Sequence, residues 1–208
     1  MSNLNSTPNL RSLGIGKVLT QLLQIRLGIA IASAFFSLIE LIAKPLYQIV
    51  APIDELLSLV SIFIALGSVI IFCVWLYRIH LDFKNLFGDY AITPGGSIAR
   101  FLIPFYNIWG IANIFNTFAD KFEPEGGDLN KFGKDVRSLI APFYGCLFGS
   151  NAINRVAIQE SFKNPNNPSL PLMFFISAIL DIGLSFVFLS FTKAMQSAVN
   201  QKAKRTVG

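Results

Sequence analysis

The stretch LLSLVSIFIALGSVIIFCVWLY, residues 56–77, decides the fold. It holds 22 residues without a charge, and Arg78 closes it. A helix rises about 1.5 Å per residue, so the run covers the roughly 30 Å hydrocarbon core of a bilayer. Residues 170–191 form a second run of 22, interrupted only by Asp181. Two such segments in 208 residues predict an all-α, polytopic transmembrane helical bundle.

Composition agrees. Apolar residues make up 53% of the chain and charged residues only 14%, well below the roughly one quarter of a soluble domain. The net charge of +5 does not point to nucleic acid, because the basic residues flank apolar segments, where they orient the chain and meet anionic headgroups. The two cysteines, Cys73 and Cys146, both sit in apolar stretches, which fits neither a disulfide framework nor a thiol metal site. One histidine, His80, with Asp82 nearby, is a weak metal signal. No cofactor or metal site is expected.

Working outward, residues 1–16 are expected to be disordered, with an Asn/Ser/Thr/Pro-rich start over 2–10. Residues 17–26 read as an interfacial helix that feeds a first span at 27–43. A short external loop with Pro45 and Pro52 follows, then the span 56–77. Residues 78–90 are expected at the membrane surface. The turn Ile92-Thr93-Pro94-Gly95-Gly96 leads to Ser97 as a helix cap. A polar loop over 120–137, a span at 138–157, a tight Asn/Pro loop at 160–169 and the span 170–191 complete the integral domain, 17–192. Residues 193–208 form a basic cytoplasmic tail. No internal repeat is visible.

Segment 101–118 is uncharged but carries Pro104, Asn107, Gly110, Asn113 and Asn116. If it crosses, the chain has five spans and the Lys/Arg residues divide eight against nine, with no bias. If it re-enters, there are four spans and fourteen basic residues lie inside; Lys44, Arg155 and Lys163 alone lie outside. The positive-inside rule favours four spans with both termini cytoplasmic, and proline and asparagine suit a re-entrant or deeply embedded hairpin packed among them.

Trp75-Leu76-Tyr77-Arg78, the turn at 92–96 and Phe101-Leu102-Ile103-Pro104-Phe105-Tyr106-Asn107-Ile108-Trp109 together resemble an uncharacterised bacterial membrane family, domain of unknown function 4328. Residues 143–155 and the terminal span with its basic tail are similar as well. The chain departs where Gly95-Gly96 replaces a usual Gly-Trp, and where Ile111-Ala112 replaces an Arg/Lys-Pro-Tyr-Gln stretch. The resemblance implies a bacterial inner or other internal membrane and a multi-pass architecture; it implies no activity.

Asp181 is the principal candidate site residue. A carboxylate at mid-membrane costs about 2.5–3.5 kcal/mol even on insertion scales, so it should face the bundle. It acts either as a proton or cation ligand, with Glu40, or as a hydrogen-bonded contact between helices. Arg155 matches its depth poorly and Asn151 better. Asn107, with Asn113 and Asn116, either lines a polar cavity or satisfies backbone groups freed near Pro104. Ala141, Gly145 and Gly149 form a small-residue row that packs against either a partner or a neighbouring helix of the same chain. Catalytic groups are not expected: no base is placed for Ser97, and no phosphate loop or paired-His motif occurs. Two functions remain: a non-catalytic accessory or scaffolding subunit of a membrane complex, or an oligomeric transporter or channel for a small solute, ion or proton. Expected partners are membrane lipids and either a second membrane protein or further copies of the chain.

Overall fold

A computed structural model describes residues 10–207; most of the Asn/Ser/Thr/Pro-rich start lies outside the described residues. Every element among them is helical: α1 Leu13–Ile42, α2 Lys44–Phe87, α3 Pro94–Leu102, α4 Tyr106–Phe122, a 3-10 turn Glu123–Glu125, α5 Gly127–Ser138, α6 Ile140–Lys163 and α7 Leu170–Val207. Three of these, α1, α2 and α7, are long and apolar enough to cross a membrane. Helix α6 has the length, but Asn151, Asn154, Arg155, Gln159 and Glu160 dilute its apolar character, so the fourth span is not among them.

Several connections expected as loops are helical. Only Ala43 separates α1 from α2, and Pro45 falls in the first turn of α2, where a missing N–H costs nothing. The expected polar loop over 120–137 is mostly the end of α4 and all but the last residue of α5. Residues 13–16, expected to be disordered, open α1: the Asp82 carboxylate accepts the backbone N–H groups of Arg11 and Ser12 at 3.0 and 2.9 Å. These donors lie just before the helix and would otherwise lack partners, so a distant side chain anchors its entry.

The chain forms two compact units. The first takes the residues up to Gln21, then Ser68–Ile140 and the chain from Ser190. Its core is aromatic. Trp75, Leu76, Ile79 and Phe83 of α2 are fully buried, as are Phe118 and Phe122 of α4 and Phe191 and Met195 of α7. Phe115 stacks on Phe191 at 4.0 Å and Phe118 on Phe122 at 4.4 Å. Ion pairs rim it: Lys202–Glu125 at 2.6 Å, Arg137–Asp120 at 2.7 Å, Arg137–Glu123 at 2.8 Å and Lys121–Asp89 at 2.9 Å. The basic tail is therefore a helical arm, with Ala198, Val199 and Ala203 buried and Lys202 paired.

Within this unit, segment 101–118 is broken. Helix α3 ends at Leu102, Phe105 takes a positive φ of 64°, and α4 starts at Tyr106. Helix α4 buries Ile111, Ile114, Phe115, Phe118 and Phe122 along one face and turns Asn113 and Asp120 outward. That one-sided pattern packs a helix onto its own unit; no apolar helix of membrane length forms there.

The second unit takes Leu22–Gly67 and Ala141–Leu189. Its interior mixes small residues, Ala34, Ala157 and Ala178 with Ser150, Ser177 and Ser185, with Leu23, Phe143, Leu184, Val187 and Leu189. Large apolar side chains such as Phe35, Ile49, Phe63 and Phe162 point outward, as they do where lipid is the solvent.

Candidate functional site: a polar cavity in the second unit

Asp181 organises the second unit's interior. It stands in the row Ser177–Asp181–Ser185, whose four-residue steps keep all three on one face of α7. One carboxylate oxygen accepts the Ser150 Oγ hydroxyl of α6 at 2.6 Å. Ser150 in turn lies 3.3 Å from Ser177 Oγ and 3.5 Å from the Asn154 Nδ2 donor. Asp181 is thus held by the Ser150 hydroxyl, which Ser177 and Asn154 contact in turn.

Two adjoining cavities open on this carboxylate, and both include Ser33 and Ala178 in their walls. The first, about 260 Å³, has Arg26 as its cation, with Ser61 and Ser185 among otherwise apolar groups. The second, about 380 Å³, is lined by Ser33, Ser37, Glu40, Tyr47, Asp54, Ser58, Asn154, Ser177 and Asp181, with Phe174 and Ala178 the only apolar contributors. There Tyr47 donates its hydroxyl to Asp54 at 2.9 Å. Three carboxylates and one guanidinium line these adjoining hollows. An environment of this kind holds water, a proton or a small polar solute by hydrogen bonding and charge.

Glu40 and Asp181 share one cavity. Asn151 does not join them: it is exposed and donates to Leu147 O of its own helix at 2.7 Å. Arg155 is exposed as well; the cation in the cavity is Arg26. Asn107 lies in the other unit, at the first turn of α4. Its companions serve arginines rather than freed backbone: Asn113 accepts from Arg100 Nε at 2.8 Å and Asn116 from Arg137 Nη1 at 3.0 Å. Along the small-residue row, Gly149 abuts Leu180, whereas Ala141 and Gly145 face open space. Ser97 is buried and donates to Pro94 O at 2.7 Å; Thr93 caps α3 by accepting Gly96 N–H at 3.1 Å. His80, expected at the surface, is fully buried and its Nδ1–H donates to Leu76 O at 2.8 Å.

Sequence reasoning missed Arg26, Tyr47, Asp54 and Ser150 as site residues. Serine at four-residue spacing within apolar helices (Ser33 and Ser37, Ser177 and Ser185 about Asp181) was the available signal. Comparison of the chain with family models, with curated proteins and with solved structures finds no match.

Proposed function

We propose that this chain is a membrane transporter or channel subunit for a proton, a small cation or a small polar solute, with Asp181 at its site. One observation carries the reading: a cavity of about 380 Å³ with nine polar or charged residues among eleven, inside helices otherwise apolar enough to cross a membrane. Polar and charged groups gathered at membrane depth are costly in a helical bundle unless they bind water or a ligand. Glu40 and Asp54 bring negative charge to one side of Asp181, Arg26 positive charge to the other. The site binds and passes its ligand rather than transforming it. In this reading α6 crosses as a fourth span, both termini are cytoplasmic, the membrane is a bacterial inner membrane, and the chain is related to the domain of unknown function 4328 family.

The test is flux into proteoliposomes, read with pH- and cation-sensitive dyes, for the wild type and Asp181→Asn. Flux that the substitution abolishes, in a protein that still assembles, supports the reading. Equal flux in both, or none in the wild type, sinks it. The accessory-subunit reading rests on a different observation: Gly145 and Ala141 leave a small-residue surface open on α6. A stoichiometric membrane-protein partner, lost on Gly145→Leu, would favour that reading.

A further inference from the structure

The first unit carries a surface the cavity does not use. Between α3 and α4 the chain breaks at Pro104, and Phe105 is held at φ 64° and ψ −44°, a γ-turn closed by Tyr106 N–H on Pro104 O at 2.8 Å that a bulky residue rarely adopts. Its phenyl ring is 80% exposed. Leu102, Ile103 and Trp109 (69% exposed) flank it, giving a contiguous apolar tip. Beside the tip lies a groove of about 280 Å³ lined by Arg100, Tyr106, Trp109, Gly110 and Asn113.

Arg100 is fixed there. Its Nε donates to Asn113 Oδ1 at 2.8 Å and its Nη1 to Gly96 O at 3.1 Å, while the guanidinium lies 5.7 Å from the centre of the Tyr106 ring. Neither bond uses Nη2. Lys121, Arg137 and Lys202 of the same unit pair with carboxylates, whereas Arg100, like Arg78 and Lys84, shows no carboxylate partner among the described residues; it differs from Arg78 and Lys84 in being held in a groove. The groove thus offers one positive charge, aromatic walls and no negative charge. Gly110 makes it possible, since a Cβ there would fall 2.6 Å from Arg100 O.

We propose that this groove is a headgroup site for an anionic glycerophospholipid. The phosphodiester sits against Arg100, Tyr106 and Trp109 lie at the interfacial level, and Leu102, Ile103 and Phe105 reach the upper acyl chains. An exposed apolar tip next to an unpaired arginine matches the layering of a lipid surface, apolar below and anionic above, and aromatic residues prefer the boundary between them.

The chain has two tryptophans, and Trp75 is fully buried, so Trp109 reports on the tip. The full chain is placed in phosphatidylcholine nanodiscs carrying acyl-brominated phosphatidylglycerol or, at the same mole fraction, acyl-brominated phosphatidylcholine. Tryptophan quenching is read, with Trp109→Phe supplying the background from Trp75. The expected result is quenching of Trp109 by both probes, with phosphatidylglycerol enriched about fivefold, the worth of one basic residue at an anionic surface. High salt or Arg100→Gln should erase the preference and leave the quenching. If Arg100→Gln fails to fold, the salt dependence of the wild type decides. An unquenched Trp109 overturns the proposal, as do equal quenching by the two probes and a preference that survives either treatment.

Discussion

The two units solve opposite packing problems. Of the twelve largest fully buried side chains, all but Phe143 belong to the unit built from Ser68–Ile140 and the two chain ends. Its rings fill the centre, and ion pairs of Lys121, Arg137 and Lys202 lie at the rim. The unit built from Leu22–Gly67 and Ala141–Leu189 sends many of its large apolar groups outward and keeps alanine, serine and half-buried carboxylates within, beside Leu23, Phe143 and Leu184. A unit filled by interlocking rings keeps its groove at the surface, beside Arg100. A unit whose large residues face lipid holds its helices together by small-residue contact and hydrogen bonds, and has space for a ligand.

The sharpest way to break the contrast is to remove a ring. Phe118→Ala should destabilise the first unit by about 3–5 kcal/mol, because the stacked Phe122 and tilted Phe83 cannot collapse into the gap. Phe35→Ala, at an exposed position of the second unit, should cost far less. Thermal or denaturant unfolding in detergent compares them; equal losses would mean the second unit is packed as tightly as the first.

Glycines give a second pair. Gly110→Ala places a methyl 2.6 Å from the Arg100 carbonyl and should cost about 1–3 kcal/mol by forcing α3 from α4. Gly145→Ala meets nothing and should be neutral or stabilising by up to about 1 kcal/mol through helix propensity. A large loss at Gly145, read by the same melts, would reveal a hidden contact there.

Asp181→Asn should leave stability within about 1 kcal/mol, since the amide oxygen still accepts from Ser150, while ending flux. A collapse of the fold would make Asp181 a structural contact and remove the reason for treating the second unit as a ligand chamber.

The smallest effect concerns the rim. Hydrogen bonding and charge from Lys121 hold the Asp89 carboxyl below its ordinary value. The folded form therefore binds a proton less readily than the unfolded one. The stabilisation is present above the ordinary carboxylate pKa and is lost as pH falls through the lowered one. Asp89→Asn should slightly flatten the acid side of a stability-against-pH curve, and an unchanged curve would mean this exposed pair contributes nothing.

The long apolar helices were legible because a bilayer-length run of uncharged residues has few other uses. Asp181 was legible for the same reason: a carboxylate is conspicuous where everything around it is apolar. Its surroundings were not. Arg26 read as a flanking charge and Asp54 as part of a loop, and serine is too common in apolar helices to signal a cavity. The loops expected around Pro45, Pro52 and 120–137 failed because Pro45 fits a first helical turn, because the long apolar α2 carries Pro52 in its interior, and because α4 and α5 gain from burying one face what their polar residues lack in apolar character.

The sequence by itself determined that the chain is helical, that α2 and α7 are long enough for a membrane, and that Asp181 needs protection from lipid, because these follow from length, charge and the cost of an exposed backbone or carboxylate in hydrocarbon. Only the tertiary structure decided what surrounds Asp181, what anchors the start of α1, and where Arg100 points. Each of those is a meeting of groups 70, 31 or 13 positions apart, and local propensity carries no information about such meetings.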